Sequence, residues 1–380
     1  MKPLLFFSVS LLFIPLLSCQ EKTPDIQTST PSETRKIYVG RSSLFDNYSD
    51  QKLQVADFVE LYFNLMYDST LEDRNALWDS KILTHQQDFF LKGNFEKGFF
   101  FQYAPQILGI RAMSDNRYEV KLEVQQSGIT FKIMNLIVAF DGLNRPYFID
   151  QFGENLTEFD AVRKETLTFL YSKKAAKNDS LEQKMVHFNQ KLATLFNISP
   201  KSTSVIVLKN LKDYCDVIGY DYMTFLTHDV QTGGIALPEE QILFSANNSP
   251  YYPHELVHIY TADQDPHYWF DEGCATYLGG SVEYPLEHHL KKVAAQMDSL
   301  DFSELPKDQK LDDETSLKYS LGGLFCKLAM EEFGGRESLL ILLNSGKTEE
   351  NFHAGLKAVF GIEQKDYDAF VKEKLRKYKG

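Results

Sequence analysis

Hydrophobic and polar positions fall into four textures along the chain, and each predicts a different kind of element. The first is an apolar run from Leu4 to Leu17, broken by Pro15. It is shorter than the roughly 20 residues a membrane-crossing helix needs. Residues 20–36 then mix Thr, Ser, Pro and charge without periodicity, the composition of a flexible tether. Between 53 and 66 the pattern becomes helical: Val55, Phe58, Val59, Tyr62, Leu65 and Met66 recur on one face, with Leu61 and Phe63 widening it. Strand texture follows. Residues 106–111 are mostly apolar, 118–124 alternate at period two, and 130–140 continue to an Asp141-Gly142 turn before 147–149.

From about residue 155 the text reads as helical again, with one or two long helices between Glu158 and Phe196. Ser202 to Leu208 reads as a strand and Leu211 to Ile218 as a short helix. Thr232-Gly233-Gly234-Ile235-Ala236 reads as an edge strand, with 241–245 returning as its hairpin partner. Helices are expected near 285–300, 319–333, 336–344 and 364–377, and Gly334-Gly335 stops the second of these. No internal repeat is present. The predicted class is α+β, divided into a leader (1–19), a tether (20–44), a helix-plus-antiparallel-sheet domain (45–156) and a second domain (157–380) with a small mixed sheet and mostly helices.

Composition narrows the partners. Lys and Arg number 40 against 53 Asp and Glu, a formal net charge of −13, and no basic run exceeds a few residues. A polyanion has nothing to grip on such a chain, so nucleic acid is not an expected partner. Beyond Cys19, the cysteines Cys215, Cys274 and Cys326 form an odd, widely spaced set that implies no disulfide framework.

The candidate chemistry lies in Tyr251-Tyr252-Pro253-His254-Glu255-Leu256-Val257-His258-Ile259-Tyr260, followed by Trp269-Phe270-Asp271-Glu272-Gly273. Histidines four apart on a helix return to one face, so His254 and His258 can aim ring nitrogens at one metal ion. Glu255 lies beside that face, placed to act as a base. Ser249 is a candidate cap for this helix, and proline is tolerated near its start. Asp263 to Pro266 should end it, and a second helix should begin near Asp271 as its N-cap, with Glu272 in its first turn. Leu256, Val257, Ile259 and Tyr260 mark the first helix as substantially buried, and buried polar groups require partners.

His254-Glu255-Leu256-Val257-His258 with Trp269-Phe270-Asp271-Glu272-Gly273-Cys274-Ala275-Thr276-Tyr277 resembles the gluzincin metallopeptidases, in the peptidase-MA-like branch akin to thermolysin and the zinc aminopeptidases. The resemblance covers roughly residues 200–345. It implies one Zn2+ held by His254, His258 and Glu272, with Glu255 as general base. Tyr319-Ser320-Leu321-Gly322 is similar to the family's Y-x-x-G helix, which implies Tyr319 as oxyanion stabiliser. The strand carrying Gly233, Gly234, Ile235 and Ala236 would pair with extended peptide substrate. Three departures stand out. The connection from the second His to Glu272 is shorter than in those relatives, Thr276 stands where thermolysin-like enzymes carry an Asp, and the G-x-M-E-N strand of the aminopeptidases is absent.

Leu16-Leu17-Ser18-Cys19 looks like a bacterial lipobox, which implies cleavage before Cys19, a lipid anchor on Cys19 and, with Gln20 following, placement at the outer membrane of the envelope. The order of elements in 45–156 resembles the NTF2-like cone. The expected function is zinc-dependent peptide-bond hydrolysis by a lipid-anchored envelope protein, with peptide or protein as substrate. The alternatives are an inactive peptidase-like module that captures peptides, and a function seated in a pocket of the N-terminal domain.

Overall fold

The computed structural model describes residues 8–10, 39–41, 48–68, 77–79, 103–113, 115–126, 128–223 and 232–379. The chain forms two compact units, one of Leu12–Glu158 with Lys212–His228, the other of Met1–Leu11, Phe159–Leu211 and Asp229–Gly380. Strands and helices are numbered below in chain order.

The unit containing Leu12–Glu158 has β2 (Gly40–Arg41), α1 (Asp50–Asp68), β3 (Tyr103–Ala112), β4 (Arg117–Gln126), β5 (Ile129–Phe140), β6 (Pro146–Ile149) and α2 (Gln151–Leu156). The chain returns to it with α4 (Leu211–Ile218) and β10 (Tyr220–Met223). Its sheet runs β10-β5-β4-β3-β2, with β6 also on β5. All of these pairings are antiparallel except β2 with β3. Period-two burial of Val120, Leu122 and Val124 makes β4 a half-buried strand, as its alternation predicts. Helix α1 buries Val55, Phe58, Val59, Tyr62 and Phe63, while Leu61 points outward and is not part of the face. The Asp141 carboxylate accepts from the Leu143 and Arg145 backbone N–H groups, which holds the predicted turn.

The second unit has β1 (Ser8–Ser10), β7 (Asp160–Lys164), β8 (Leu167–Tyr171), α3 (Asp179–Phe196), β9 (Thr203–Val207), β11 (Thr232–Leu237) and β12 (Ile242–Ser245). Then come α5 (Pro253–Thr261), α6 (Tyr268–Gly279), α7 (Leu286–Gln296), α8 (Leu317–Glu331), α9 (Arg336–Leu343), α10 (Glu349–Phe360) and α11 (Tyr367–Leu375). The sheet order is β1-β11-β12-β9-β8-β7. It is mixed: β12, β9 and β8 are parallel, β7 is antiparallel to β8, and β11 is antiparallel to β12 but parallel to β1. The predicted hairpin of β11 and β12 forms in register Gly234 to Ser245.

Two expectations change here. Residues 158–196 are not all helical, because the hairpin β7–β8 precedes α3. Leu167, Phe169 and Tyr171 are buried at period two, a strand signal five residues long that the charged flanks obscure. Asn178 then caps α3 by accepting from the Leu181 backbone N–H. Helix α10 is an additional element that the sequence reading did not place.

Candidate metal centre

Helix α5 is fixed by its apolar face. Leu256, Val257, Ile259 and Tyr260 are buried in the core of the second unit. The Tyr260 hydroxyl donates to Asn189 Oδ1 on α3 at 2.6 Å, and Lys201 Nζ donates to the Ile259 carbonyl at 2.6 Å. With that face held, the opposite turn presents His254 and His258, whose ring centroids lie 5.0 Å apart. The helix begins differently from expectation. Pro253 is its first residue after Tyr252, without a side-chain cap, and Ser249 instead accepts from the Tyr251 N–H at 3.1 Å. Proline needs no cap for the N–H it lacks.

Helix α6 starts at Tyr268, earlier than predicted. The His267 ring nitrogen Nδ1, not Asp271, accepts the first free N–H, from Trp269 at 3.3 Å. Asp265 in the left-handed region makes the bend between the two helices. The early start places Asp271 and Glu272 about one turn inside the helix, and both carboxylates turn toward α5.

Glu272 Oε2 lies 3.3 Å from His254 Nε2 and 3.6 Å from His258 Nε2. One ligand atom from each of the three residues falls within 4.8 Å of the other two. The other ring nitrogens are engaged elsewhere. His254 Nδ1 donates to the Gly280 carbonyl at 2.7 Å, and His258 Nδ1 meets Asp271 Oδ1 at 3.1 Å. Protons on both Nδ1 atoms leave both Nε2 lone pairs facing the Glu272 carboxylate, the arrangement a metal requires. Asp271 is in turn held by the Thr261 hydroxyl at 2.5 Å.

The electrostatics agree with a cation site. Burial pushes the Glu272 carboxyl up, but the two imidazoles override it and hold it well below the usual range. Burial alone would lower His258, yet Asp271 and then Glu272 carry it well above the usual histidine value. A proton on His258 is what balances two carboxylates when no ion does so, and a divalent cation competes for the same place. Burial also raises Glu255, against the pull of His254 and His258. Its Oε1 is buried with no hydrogen-bond partner among the described residues. Two imidazoles, one carboxylate and a second, unengaged carboxylate oxygen beside them fit zinc, which takes N and O ligands in fours and leaves one position for water in catalytic sites.

Close backbone contacts bring the remaining candidates here. A Cβ on Gly279 would come within 2.6 Å of the His254 backbone nitrogen, and Gly280, at φ 82°, holds its carbonyl toward His254. A Cβ on Gly273 would sit 2.2 Å from the Gly322 carbonyl carbon, so α6 and α8 cross at van der Waals contact of backbones. Tyr319, one turn before Gly322, thereby stands with its ring centroid 6.1 Å from that of His254. On the other side, a Cβ on Gly234 would fall 2.2 Å from Tyr252 Cε1 and 2.6 Å from Glu255 Cγ. The strand carrying Gly233, Gly234, Ile235 and Ala236 therefore runs directly over Glu255. Its outer edge pairs in parallel with Ser8–Ser10.

Sequence reasoning missed Asp271 as the partner of His258, and Gly280 as that of His254. The signal for Asp271 was present, since adjacent helix positions are about 100° apart and two adjacent acids can serve the metal and its ligand respectively. Thr276, where thermolysin-like enzymes carry an Asp, donates its hydroxyl to the Glu272 carbonyl at 2.8 Å. Cys274 is buried, as are Cys215 and Cys326, and all three are free thiols. Cys19 lies outside the described residues, as does most of the expected tether. No helix among the described residues is long and apolar enough to cross a membrane.

No family model matches the chain, and no curated protein matches it. Among solved structures it is similar to an M1 zinc metallopeptidase from Deinococcus radiodurans, at 14% identity and a TM-score of 0.29. A mutant of that enzyme bound to a Tyr-Ser-Ala substrate gives 13% identity and a TM-score of 0.32. The alignment covers 73% of this chain and 62% of the M1 enzyme in both cases. At that level of overlap the likeness carries no argument about chemistry, which rests on the geometry above.

Proposed function

We propose that this chain is a zinc-dependent peptidase of the bacterial envelope, attached to the outer membrane by a lipid on Cys19. The observation that supports it is the convergence of His254, His258 and Glu272 on one point, with the unengaged Glu255 oxygen and the β11 strand beside them. Zinc bound there supplies Lewis acidity, lowering the pKa of water to about 7 and polarising a carbonyl.

The chain's own residues divide the remaining work. An extended peptide pairs with the backbone of β11, which fixes its scissile bond above α5. Glu255 takes the proton from the attacking water and passes it to the leaving amine; its burial, which raises its proton affinity, suits both halves of that shuttle. The Tyr319 hydroxyl donates to the oxygen on which charge develops. Asp271 and Gly280 keep the imidazoles in one tautomer and one orientation. Removal of the leader before Cys19 takes Ser8–Ser10 away and leaves the β11 edge open to substrate. The N-terminal unit, for which we propose an NTF2-like architecture, positions substrate or binds a partner.

Glu255→Gln tests the reading. Peptide turnover should fall by roughly 10²- to 10⁴-fold, while zinc stays bound. Equal turnover by the variant and the parent protein would sink it. Peptide binding without cleavage by either protein would favour the capture module instead.

A further inference from the structure

Lys318, a mostly buried lysine near the candidate site, has no ion-pair partner among the described residues. The residue is 4% exposed. Its Nζ lies 4.8 Å from the centroid of the Tyr319 ring and 5.6 Å from that of Tyr268, and no carboxylate among the described residues forms an ion pair with it. Asp308 is tied to the same residue, but through the Lys318 backbone N–H, at 3.0 Å. Other sparingly exposed lysines of this unit are treated differently. Lys201 holds Asp263, Lys327 holds Glu331 and Lys374 holds Glu332. Two aromatic faces hold this ammonium by cation–π attraction and leave its N–H donors available to an anion.

The two rings locate this charge. Tyr268 stands four residues before Glu272 and shares its face of α6, and Tyr319 neighbours His254. Taken through the Tyr319 ring, the ammonium is at most about 11 Å from the His254 ring centroid. That is roughly three residues of extended chain.

We propose that Lys318, framed by Tyr268 and Tyr319, is a carboxylate-binding subsite that selects peptides bearing a negative charge within about three residues of the scissile bond. This rests on the peptidase reading for the identity of the ligand as a peptide. Two sources offer the same chemistry, an acidic side chain or the free C-terminal carboxylate. Either would give an ammonium that rests against two aromatic rings a charge-assisted hydrogen bond.

The test is binding of synthetic hexapeptides to the zinc-loaded Glu255→Gln protein, measured by calorimetry. One Glu is walked through an alanine background against the same series with Gln, each with a free or an amidated C-terminus. The proposal expects one series to bind roughly 10- to 100-fold more tightly than its neutral counterpart. A Glu-over-Gln preference identifies a side chain, and a free-over-amidated preference identifies the terminus. In Lys318→Met that ratio should collapse toward one, and Lys318→Arg should keep most of it. Equal affinities for charged and neutral peptides, no measurable binding of any, or an unchanged ratio in Lys318→Met would overturn it. Cleavage of the same peptides by the parent protein is read separately. Absence of cleavage with a preserved ratio defeats the peptidase reading and leaves the subsite standing, whereas cleavage with no ratio does the reverse.

Discussion

Each unit buries ionisable groups, but they are arranged in opposite ways. In the unit containing Leu12–Glu158, Lys132 on β5 is fully buried against the rings of Phe131 and Tyr220, and Asp150 caps α2. Among the described residues, the two do not meet at a shared centre with other acids or histidines. In the other unit His254, His258, Asp271 and Glu272 face one another, with Glu255 alongside. Burial of charge is costly in both places, and only convergence on a shared centre makes a metal the natural remedy.

The largest effect that would sharpen this contrast is expected at Lys132. Burial lowers its pKa from 10.5 to about 7. The unfolded chain therefore binds a proton that the folded chain has lost between about pH 7 and 10.5, so stability rises with pH across that window and the burial penalty is complete below it. Lys132→Met should raise stability at pH 7 by a few kcal/mol, seen as a higher thermal midpoint. The advantage should shrink toward pH 10, and zinc content should not change. A variant that lost zinc would break the separation between the two units.

Next comes Asp271→Ala. Released from its carboxylate, the His258 ring loses its orientation, and zinc affinity should fall roughly 10- to 100-fold in a chelator competition. No loss would mean that Asp271 is merely a surface acid. The smallest effect belongs to Thr261→Val, which removes the hydroxyl that holds Asp271. About 0.5–1.5 kcal/mol should be lost, read as a few-fold weaker zinc binding and a slightly lower thermal midpoint.

Legibility from sequence followed the same divide. Strands β4 and β5 and helix α1 carry long periodic patterns, and the alternation or helical spacing of their apolar residues marks them from the chain alone. The hairpin β7–β8 does not, because its strands are five residues each and charged neighbours dilute the signal. At the site, His254, Glu255 and His258 were legible because one helix fixes their spacing. Glu272 needed a second helix, and the precise bend came from Asp265 in the left-handed region and a His267 cap that no spacing rule gives. The Gly280 carbonyl and the Gly273–Gly322 contact were illegible, since a backbone oxygen has no sequence signature and a glycine does not say which helix it will meet.

The most direct test of the central claim is the metal content of the purified chain, measured by mass spectrometry of the element alongside His254→Ala and Glu272→Ala. The account predicts one zinc ion per parent chain after exposure to zinc and dialysis, and loss of that ion in both variants without unfolding. A parent chain that retains no zinc, or variants that hold it as tightly as the parent, would contradict it.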